Sequence, residues 1–72
     1  MELKTGKYRH FKGNCYELLG VARHSETLEP MVVYRALYGE GGLWVRPAAM
    51  WTEIVHKENY HGPRFQYVDV EE

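Results

Sequence analysis

The stretch from Met31 to Pro47, Met-Val-Val-Tyr-Arg-Ala-Leu-Tyr-Gly-Glu-Gly-Gly-Leu-Trp-Val-Arg-Pro, specifies its own shape more clearly than any other part of the chain. β-Branched and aromatic residues crowd positions 31–38, and a second apolar run occupies positions 43–46. The glycine-rich segment 39–42 between them tolerates the positive φ angles of a tight turn. The stretch therefore predicts a β-hairpin.

The register of this hairpin decides which side chains share a face. A two-residue and a four-residue loop both put Tyr38 opposite Leu43 and Arg35 opposite Arg46. Side chains alternate along a strand, so the expected core set is Val32, Tyr34, Ala36, Tyr38, Leu43 and Val45. The opposite face then carries Val33, Arg35, Leu37, Trp44 and Arg46.

Two guanidinium groups beside an indole on this second face predict a seat for a carboxylate, a phosphate or a base-bearing ligand. Two alternatives stay open for Arg35 and Arg46. A glutamate (Glu17, Glu26 or Glu53) pairs with them, or they point into solvent with their stems over Trp44 and Leu37. A three-residue loop would separate the two arginines, so the hypothesis depends on the length of the turn.

Length and composition predict one small β-barrel domain over residues 1–72, with residues 1–6 frayed. The chain is 44% hydrophobic and has a formal net charge of -1, which excludes coating of nucleic acid or membrane by bulk positive charge but leaves room for a local basic patch. The single Cys15 cannot form an internal disulfide, and there is no apolar targeting or membrane-spanning run. These features predict a bacterial-type cytoplasmic protein without membrane association, and they leave the oligomeric state open.

Further short strands are predicted over residues 7–11, 16–22, 51–55 and 64–70, with a turn at 12–14 and loops at 23–30 and 57–63. Pro47 suits the first position of a helical turn that continues through residues 48–50. Five or six short strands with at most one helical turn predict an all-β fold, a small antiparallel SH3-like barrel or roll.

The segment His24-Ser25-Glu26-Thr27 holds a base, a hydroxyl and a carboxylate. In an extended chain Ser25 projects away from its neighbours, and no nucleophile elbow accompanies it. A small hydrolase or metal-dependent enzyme centred on His24 and Glu26, with His24 as a proton carrier oriented by Glu26, is therefore an alternative, while the leading expectation is a protein without catalysis. The histidines lack metal-ligand spacing, and a site built from His10, His24, Glu26 and Cys15 requires the fold to converge them, so neither a metal nor a cofactor is expected.

Basic residues alternate with aromatic residues in residues 7–12, in Tyr34-Arg35, in Trp44-Val45-Arg46 and in Arg64-Phe65. This interleaving is typical of stacking platforms for single-stranded nucleic acid. It is equally typical of an aromatic-rich barrel whose outward positions are polar.

Several linked blocks of the sequence resemble one known family. They are Tyr8-Arg9-His10-Phe11-Lys12-Gly13, Tyr16-x-Leu-Leu-Gly, Ala22-x-His24-Ser25-Glu26-Thr27, Val33-Tyr34-x-x-Leu37-Tyr38-Gly39, Leu43-Trp44-Val45-Arg46-Pro47-x-x-Met50 and Pro63-Arg64-Phe65. Over nearly the whole chain they are similar to a bacterial domain-of-unknown-function family, number 1653. The resemblance implies a small SH3-type barrel with no established activity. It also singles out a signature set, namely His10, Lys12, His24, Glu26, Tyr34, Arg46, Met50 and Arg64, and it puts Trp51 where the family more often has Phe.

The function that the sequence favours is a small non-catalytic binding module. Its expected ligand is anionic, nucleotide-like or a peptide, so its partner is a small molecule, a nucleic acid or a protein. The expected ligand-binding residues are Arg35, Arg46, Trp44, Tyr34, His24, His10 and Arg64. A structural or self-association module, with Trp44, Leu37 and Trp51 as the contact patch, is a further alternative.

Overall fold

The computed structural model describes residues 3–68, which form seven strands and one short helix. The elements are β1 (Gly6–His10), β2 (Cys15–Arg23), β3 (Pro30–Ala36), β4 (Leu43–Pro47), α1 (Ala48–Trp51), β5 (Ile54–Lys57), β6 (Tyr60–Pro63) and β7 (Phe65–Tyr67). An all-β fold with one short helix directly after Pro47 is confirmed. No helix in this part of the chain has the length and apolar character needed to cross a bilayer.

Five of the strands form an antiparallel sheet in the order β4-β3-β2-β1-β7, and β5 pairs with β6 in a separate two-stranded hairpin. Strands β1 to β4 follow one another as a meander, and β7 returns to pair with β1. Within residues 3–68 the large sheet is open, because β4 and β7 form its two edges. Seven strands rather than five or six are therefore present in the described residues.

The core lies on one face of the large sheet, which we call the inner face. Its buried side chains are Tyr8, Leu18, Val32, Tyr34, Ala48, Trp51 and Phe65. The helix places Trp51 flat against Phe65, with ring centroids 3.7 Å apart and planes within 2° of parallel. Trp51 Nε1 is buried and has no hydrogen-bond partner in residues 3–68, a cost of about 1–3 kcal/mol that the aromatic contacts offset.

The β3–β4 hairpin differs from its prediction in register. Arg35 lies opposite Leu43, and Arg46 lies opposite Val32, a displacement of three residues. The loop covers residues 37–42, and Gly39 and Gly41 adopt φ angles of 60° and 67° in it. An odd displacement exchanges the faces of one strand, so the predicted placement of Arg35 beside Arg46 is wrong.

The new register changes the core as well. Trp44 and Arg46 now share the inner face with Tyr34, while Leu43 and Val45 lie on the opposite, outer face at 69% and 61% exposure. The prediction that both of these apolar residues belong to the core is therefore wrong. Tyr38, which falls in the loop, is also exposed.

The second half of the chain contains a hairpin where a loop was predicted. Residues 57–63 were expected as a loop, but a two-residue turn at Glu58-Asn59 lets β6 pair with β5. The strand predicted over 51–55 begins only at Ile54, because Trp51 ends the helix. The last strand covers 65–67 of the predicted 64–70, and residues 69 and 70 lie outside the described residues.

Residues 1–6 were predicted to be frayed, but residues 3–6 make specific contacts with the rest of the fold. Leu3 packs against the core, Tyr8 Oη donates a hydrogen bond to the Lys4 carbonyl at 2.7 Å, and Gly6 begins β1. Residues 1 and 2 lie outside the described residues.

Candidate functional site

Four basic side chains gather around the Phe11 and Phe65 rings: three lie at the end of β1 or just before β7, and Arg46 comes from β4, at the opposite edge of the sheet. We call His10, Lys12, Arg46 and Arg64 the cationic cluster. Two aromatic rings carry them. The His10 ring lies 5.0 Å from the Phe65 ring and 4.7 Å from the Phe11 ring. The Arg46 guanidinium lies 5.4 Å from the Phe65 ring centre, and the Arg64 guanidinium and the Lys12 ammonium lie 5.8 Å and 5.9 Å from that of Phe11.

Backbone contacts hold the His10 end of the cluster in place. The turn after β1 is closed by the His10 N–H donating to the Asn14 carbonyl and by the Gly13 N–H donating to the His10 carbonyl, both at 2.7 Å. Gly13 has a φ of 111°, a value that residues with a Cβ atom rarely adopt. Phe11 N–H then donates to the Arg64 carbonyl at 2.9 Å, which ties the β1 end to the segment before β7.

His10 is a neutral hydrogen-bond donor at this site. Its Nδ1 accepts the Lys12 backbone N–H at 3.1 Å, so the neutral imidazole carries its proton on Nε2. Burial lowers the pKa of His10 below its ordinary value of 6.5, and the charges of Arg64, Arg46 and Lys12 lower the pKa further. Near neutral pH, therefore, the ring offers an N–H rather than a lone pair at Nε2.

The cationic cluster carries excess positive charge. Arg64 bonds the Glu53 carboxylate through Nε and Nη2, at 3.3 Å and 3.2 Å. Arg46 and Lys12 form no ion pair with any residue among 3–68. Three cationic side chains thus face one carboxylate, and such a patch attracts anions.

The floor beneath the cluster is aromatic and uncharged. The Tyr16 and Tyr34 rings contact the Phe65 ring at centroid distances of 5.7 Å and 6.4 Å. Tyr16 Oη shares a 2.8 Å hydrogen bond with Tyr38 Oη. Burial, followed by this bond, raises the pKa of Tyr16 to about 12. The phenol therefore stays neutral and adds no negative charge beside Arg46.

An open pocket of about 360 Å³ adjoins the cluster. It is lined by Arg9, His10, Phe11, Tyr60, Gln66, Tyr67 and Val68. Phe11 stacks on Tyr60 in its wall, with centroids 5.2 Å apart. The volume falls within the range of small-molecule sites, and His10 and Phe11 belong to both the pocket and the cluster.

Of the predicted ligand-binding residues, the structure brings together His10, Arg46 and Arg64, with buried Tyr34 beneath them. Trp44 shares the inner face with Arg46, two positions away on β4, and is 59% exposed. Arg35 lies on the outer face, where its Nε and Nη2 both bond Glu17 Oε1 at 2.7 Å. Of the two alternatives left open for Arg35, pairing with a glutamate or exposure to solvent, the structure shows the pairing.

His24 and Glu26 lie at the tip of the β2–β3 hairpin, apart from the cluster. His24 Nδ1 accepts the backbone N–H groups of Glu26 at 3.1 Å and Thr27 at 3.4 Å. Leu28 completes this turn with a φ of 66°. The backbone therefore orients the imidazole. The enzymatic alternative requires the Glu26 carboxylate to orient it instead.

Two further expectations concern groups of residues. Within residues 3–68 there is no set of three or more His, Cys, Asp or Glu side chains that could hold a metal ion, so His10, His24, Glu26 and Cys15 do not converge. Trp51 is only 1% exposed, so it cannot contribute to a surface patch with Trp44 and Leu37.

Phe65, Phe11 and Tyr16 complete the site and were not predicted as part of it. Phe65 was visible in the sequence only through the alternation of basic and aromatic residues in Arg64-Phe65. The same alternation runs through residues 7–12 and includes Phe11. The alternation indicated the right residue types, but it could not identify Phe65 as the ring that faces Arg46.

Comparison with known proteins identifies the family. The family described as "Protein of unknown function (DUF1653)" matches residues 6–67, a range that contains the whole cationic cluster. The chain belongs to the DUF1653 family. It is similar to a crystal structure of a DUF1653 protein from Bordetella bronchiseptica, with 42% sequence identity and a TM-score of 0.85 over 93% of this chain and 88% of that one. No curated protein matches the chain. The resemblance drawn from the sequence blocks is therefore confirmed.

Proposed function

We propose that this DUF1653 chain is a non-catalytic binding module that holds an anionic, nucleotide-like ligand at the cationic cluster. The observation that carries the proposal is the state of Arg46. Arg35 and Arg64 each bond a carboxylate of the chain, whereas Arg46 is half-buried against Phe65 and forms no ion pair within residues 3–68.

The position of Arg46 suits an anion for a physical reason. A guanidinium group that lies on an aromatic ring has lost part of its hydration, and its planar fork matches the oxygens of a phosphate or carboxylate. The Nε2–H of neutral His10 is a second donor at the same place. Glu53 neutralises Arg64 alone and leaves the rest of the cluster charged.

Exposed aromatic rings near Arg46 favour a ligand with a planar base. Trp44 precedes Arg46 by two residues on the same face and is 59% exposed, and Tyr38 in the neighbouring loop is 49% exposed. Stacking on an aromatic ring contributes about 1–3 kcal/mol for each base. A peptide carboxylate uses the same cations but gains nothing from the indole, so the two ligand classes are distinguishable.

The test is a titration followed by tryptophan fluorescence, since Trp44 lies two residues before Arg46 on β4 and Trp51 stacks on Phe65. The probes are adenosine monophosphate, inorganic phosphate and succinate. We expect adenosine monophosphate to bind most tightly, and Arg46→Ala to weaken its binding by about tenfold or more, as loss of a charged hydrogen bond predicts. Arg35→Ala is the matched control, because it removes the same group from the outer face, and we expect its affinity to stay within about twofold of wild type.

Two results would overturn the proposal. One is the absence of binding by all three probes, and the other is an equal loss of affinity in Arg46→Ala and Arg35→Ala. If succinate binds and adenosine monophosphate does not, the nucleotide-like part of the proposal fails and a carboxylate-bearing partner replaces it.

We also propose an SH3-like roll for the sheet. Its support is the connectivity: a four-stranded meander, a helical turn, and a last strand that pairs with the first. The cytoplasmic location, which was expected from the lone Cys15 and from the lack of an apolar targeting or membrane-spanning run, stays a prediction.

A further inference from the structure

The β5–β6 hairpin carries two histidines that face each other. His56 and His61 lie directly opposite in the pairing of the two strands, and both are exposed. Their ring centroids are 4.3 Å apart with the planes at 76°. The two Nδ1 atoms approach to 3.0 Å. The hairpin thus presents two imidazole nitrogens to one point at the protein surface.

The turn of this hairpin explains the close approach. A two-residue turn makes Lys57 and Tyr60 the closing, hydrogen-bonded pair. Hydrogen-bonded and non-hydrogen-bonded pairs alternate along an antiparallel ladder, and side chains lie closer in the non-hydrogen-bonded pairs. The next pair, His56 and His61, is of that closer kind.

We propose that His56 and His61 form a two-histidine site for a divalent transition-metal ion, with Cu²⁺ as the preferred occupant. With metal–nitrogen bonds of about 2.0–2.1 Å, two nitrogens 3.0 Å apart subtend about 95° at the metal. This angle is close to the right angle between neighbouring ligands in tetragonal Cu²⁺ and Ni²⁺ complexes and smaller than the tetrahedral angle that structural Zn²⁺ adopts. Cu²⁺ also binds nitrogen ligands most strongly among these ions.

The other two histidines of the chain are unsuited to the same role. His10 Nδ1 accepts the Lys12 N–H, and cations surround the ring, so a metal ion would be repelled. His24 Nδ1 accepts two backbone N–H groups. Only the hairpin pair directs a nitrogen at another imidazole.

Binding needs a small rearrangement of the two rings. The hydrogen bond between the two Nδ1 atoms requires one ring to carry its proton on Nδ1. When the metal binds there, that ring changes to the Nε2–H tautomer by proton exchange with solvent and remains neutral. Both rings are exposed, so they can rotate to aim their lone pairs at the metal. Within residues 3–68 no third His, Cys, Asp or Glu side chain completes the set, so water fills the remaining positions.

The experiment is a titration of the folded chain with Cu²⁺, followed by visible absorption and by paramagnetic broadening of proton NMR signals. We expect one Cu²⁺ per chain, broadening strongest at the rings of His56 and His61, and reversal by a chelator. His61→Asn should weaken binding by about tenfold or more, because loss of even an outer-shell partner costs 10–100-fold. His24→Asn, which removes an exposed histidine from another hairpin, should leave Cu²⁺ affinity unchanged. Ni²⁺ and Zn²⁺ should bind more weakly than Cu²⁺.

Three outcomes would overturn the proposal: no Cu²⁺ binding, unchanged affinity in His61→Asn, or broadening centred elsewhere than on the hairpin. The broadening experiment uses the unsubstituted protein, so it decides the question even if a variant misfolds. The two-histidine site is independent of the cationic cluster. The Cu²⁺ titration therefore tests neither the role of Arg46 nor the binding of an anionic ligand.

Discussion

Arg46 and Arg35 lie on opposite faces of the same two strands, and their surroundings differ accordingly. On the outer face, Arg35 finds Glu17 directly across from it on β2, and the ion pair satisfies it. On the inner face, Arg46 lies against Phe65 among other cations. The residue type is the same, but within residues 3–68 one arginine has a carboxylate partner and the other does not. A search for ligand sites should therefore start from the partners of a charged side chain rather than from its type.

The largest expected difference between the two faces is in stability. Leu18 is 1% exposed on the inner face, and Leu43 is 69% exposed on the outer face. We expect Leu18→Ala to lower the free energy of unfolding by about 2–5 kcal/mol. The identical substitution at Leu43 should change it by no more than about 0.5 kcal/mol. Urea unfolding followed by circular dichroism measures both values, and similar losses would mean that the two faces are assigned wrongly.

The next effect concerns anion binding and pH. Sulfate keeps its charge between pH 5 and 8, and at the cluster it should stabilise the protonated form of His10 and so raise its pKa. Sulfate affinity should then increase as the pH falls, by up to about tenfold for each unit by which sulfate raises that pKa. Calorimetric titration at several pH values measures the trend. His10→Asn should abolish it, and a trend that survives in this variant would place the titrating group elsewhere.

A smaller effect should appear in the unliganded protein. Because Arg46 helps to lower the pKa of His10, Arg46→Ala should raise that pKa towards 6.5, whereas Arg35→Ala should not change it. NMR titration of the imidazole protons compares the two variants. In the wild type the unfolded chain binds the His10 proton more readily than the folded chain, so this residue should make the protein less stable as the pH falls below 6.5. A rise in stability over that range in wild type relative to His10→Asn would contradict the lowered pKa.

The smallest expected effect is that of the outer ion pair. The Arg35 and Glu17 side chains are 48% and 35% exposed, so solvent screens their attraction. A double-mutant cycle with Arg35→Ala and Glu17→Ala should give a coupling energy of about 0.2–1 kcal/mol, decreasing with added salt. A much larger value would show that Arg35 is more constrained than its exposure indicates.

The sequence allowed prediction of the elements better than of their faces. The meander, the helical turn after Pro47 and the hairpin around residue 40 all follow from local residue types. The register of that hairpin did not, because glycine at three of the positions 39–42 fits loops of even and odd length equally well, and only an even loop centred on Glu40-Gly41 pairs Arg35 with Arg46. That single uncertainty exchanged Trp44 and Arg46 with Leu43 and Val45. The second strand of the β5–β6 hairpin was missed because β6 is short and contains Gly62 and Pro63, which are typical of loops, and because the turn at Glu58-Asn59 lacks glycine.

The same distinction, between what local residue types predict and what the register and turn geometry decide, applies to the candidate site residues. His10, Arg46 and Arg64 belong to the family signature and to the basic–aromatic alternation, and the structure brings them together. Arg46 was also predicted from a hairpin register that is wrong. The error at Arg35 came from the register, since nothing local distinguishes an arginine that faces Glu17 from one that faces Phe65. The sequence could not place His24 as an acceptor for backbone N–H groups, because that contact depends on the turn geometry at Leu28.

The edge position of β4 has a consequence for amide hydrogen exchange. Ala36 N–H bonds the Gly42 carbonyl, so the alternation of an antiparallel ladder directs the amides of Trp44 and Arg46 towards β3 and those of Leu43 and Val45 away from it. Deuterium should therefore enter β4 at alternate positions, quickly at 43 and 45 and slowly at 44 and 46. Since Pro47 has no amide proton, a strand that extended the sheet at this edge would find only two donors on β4.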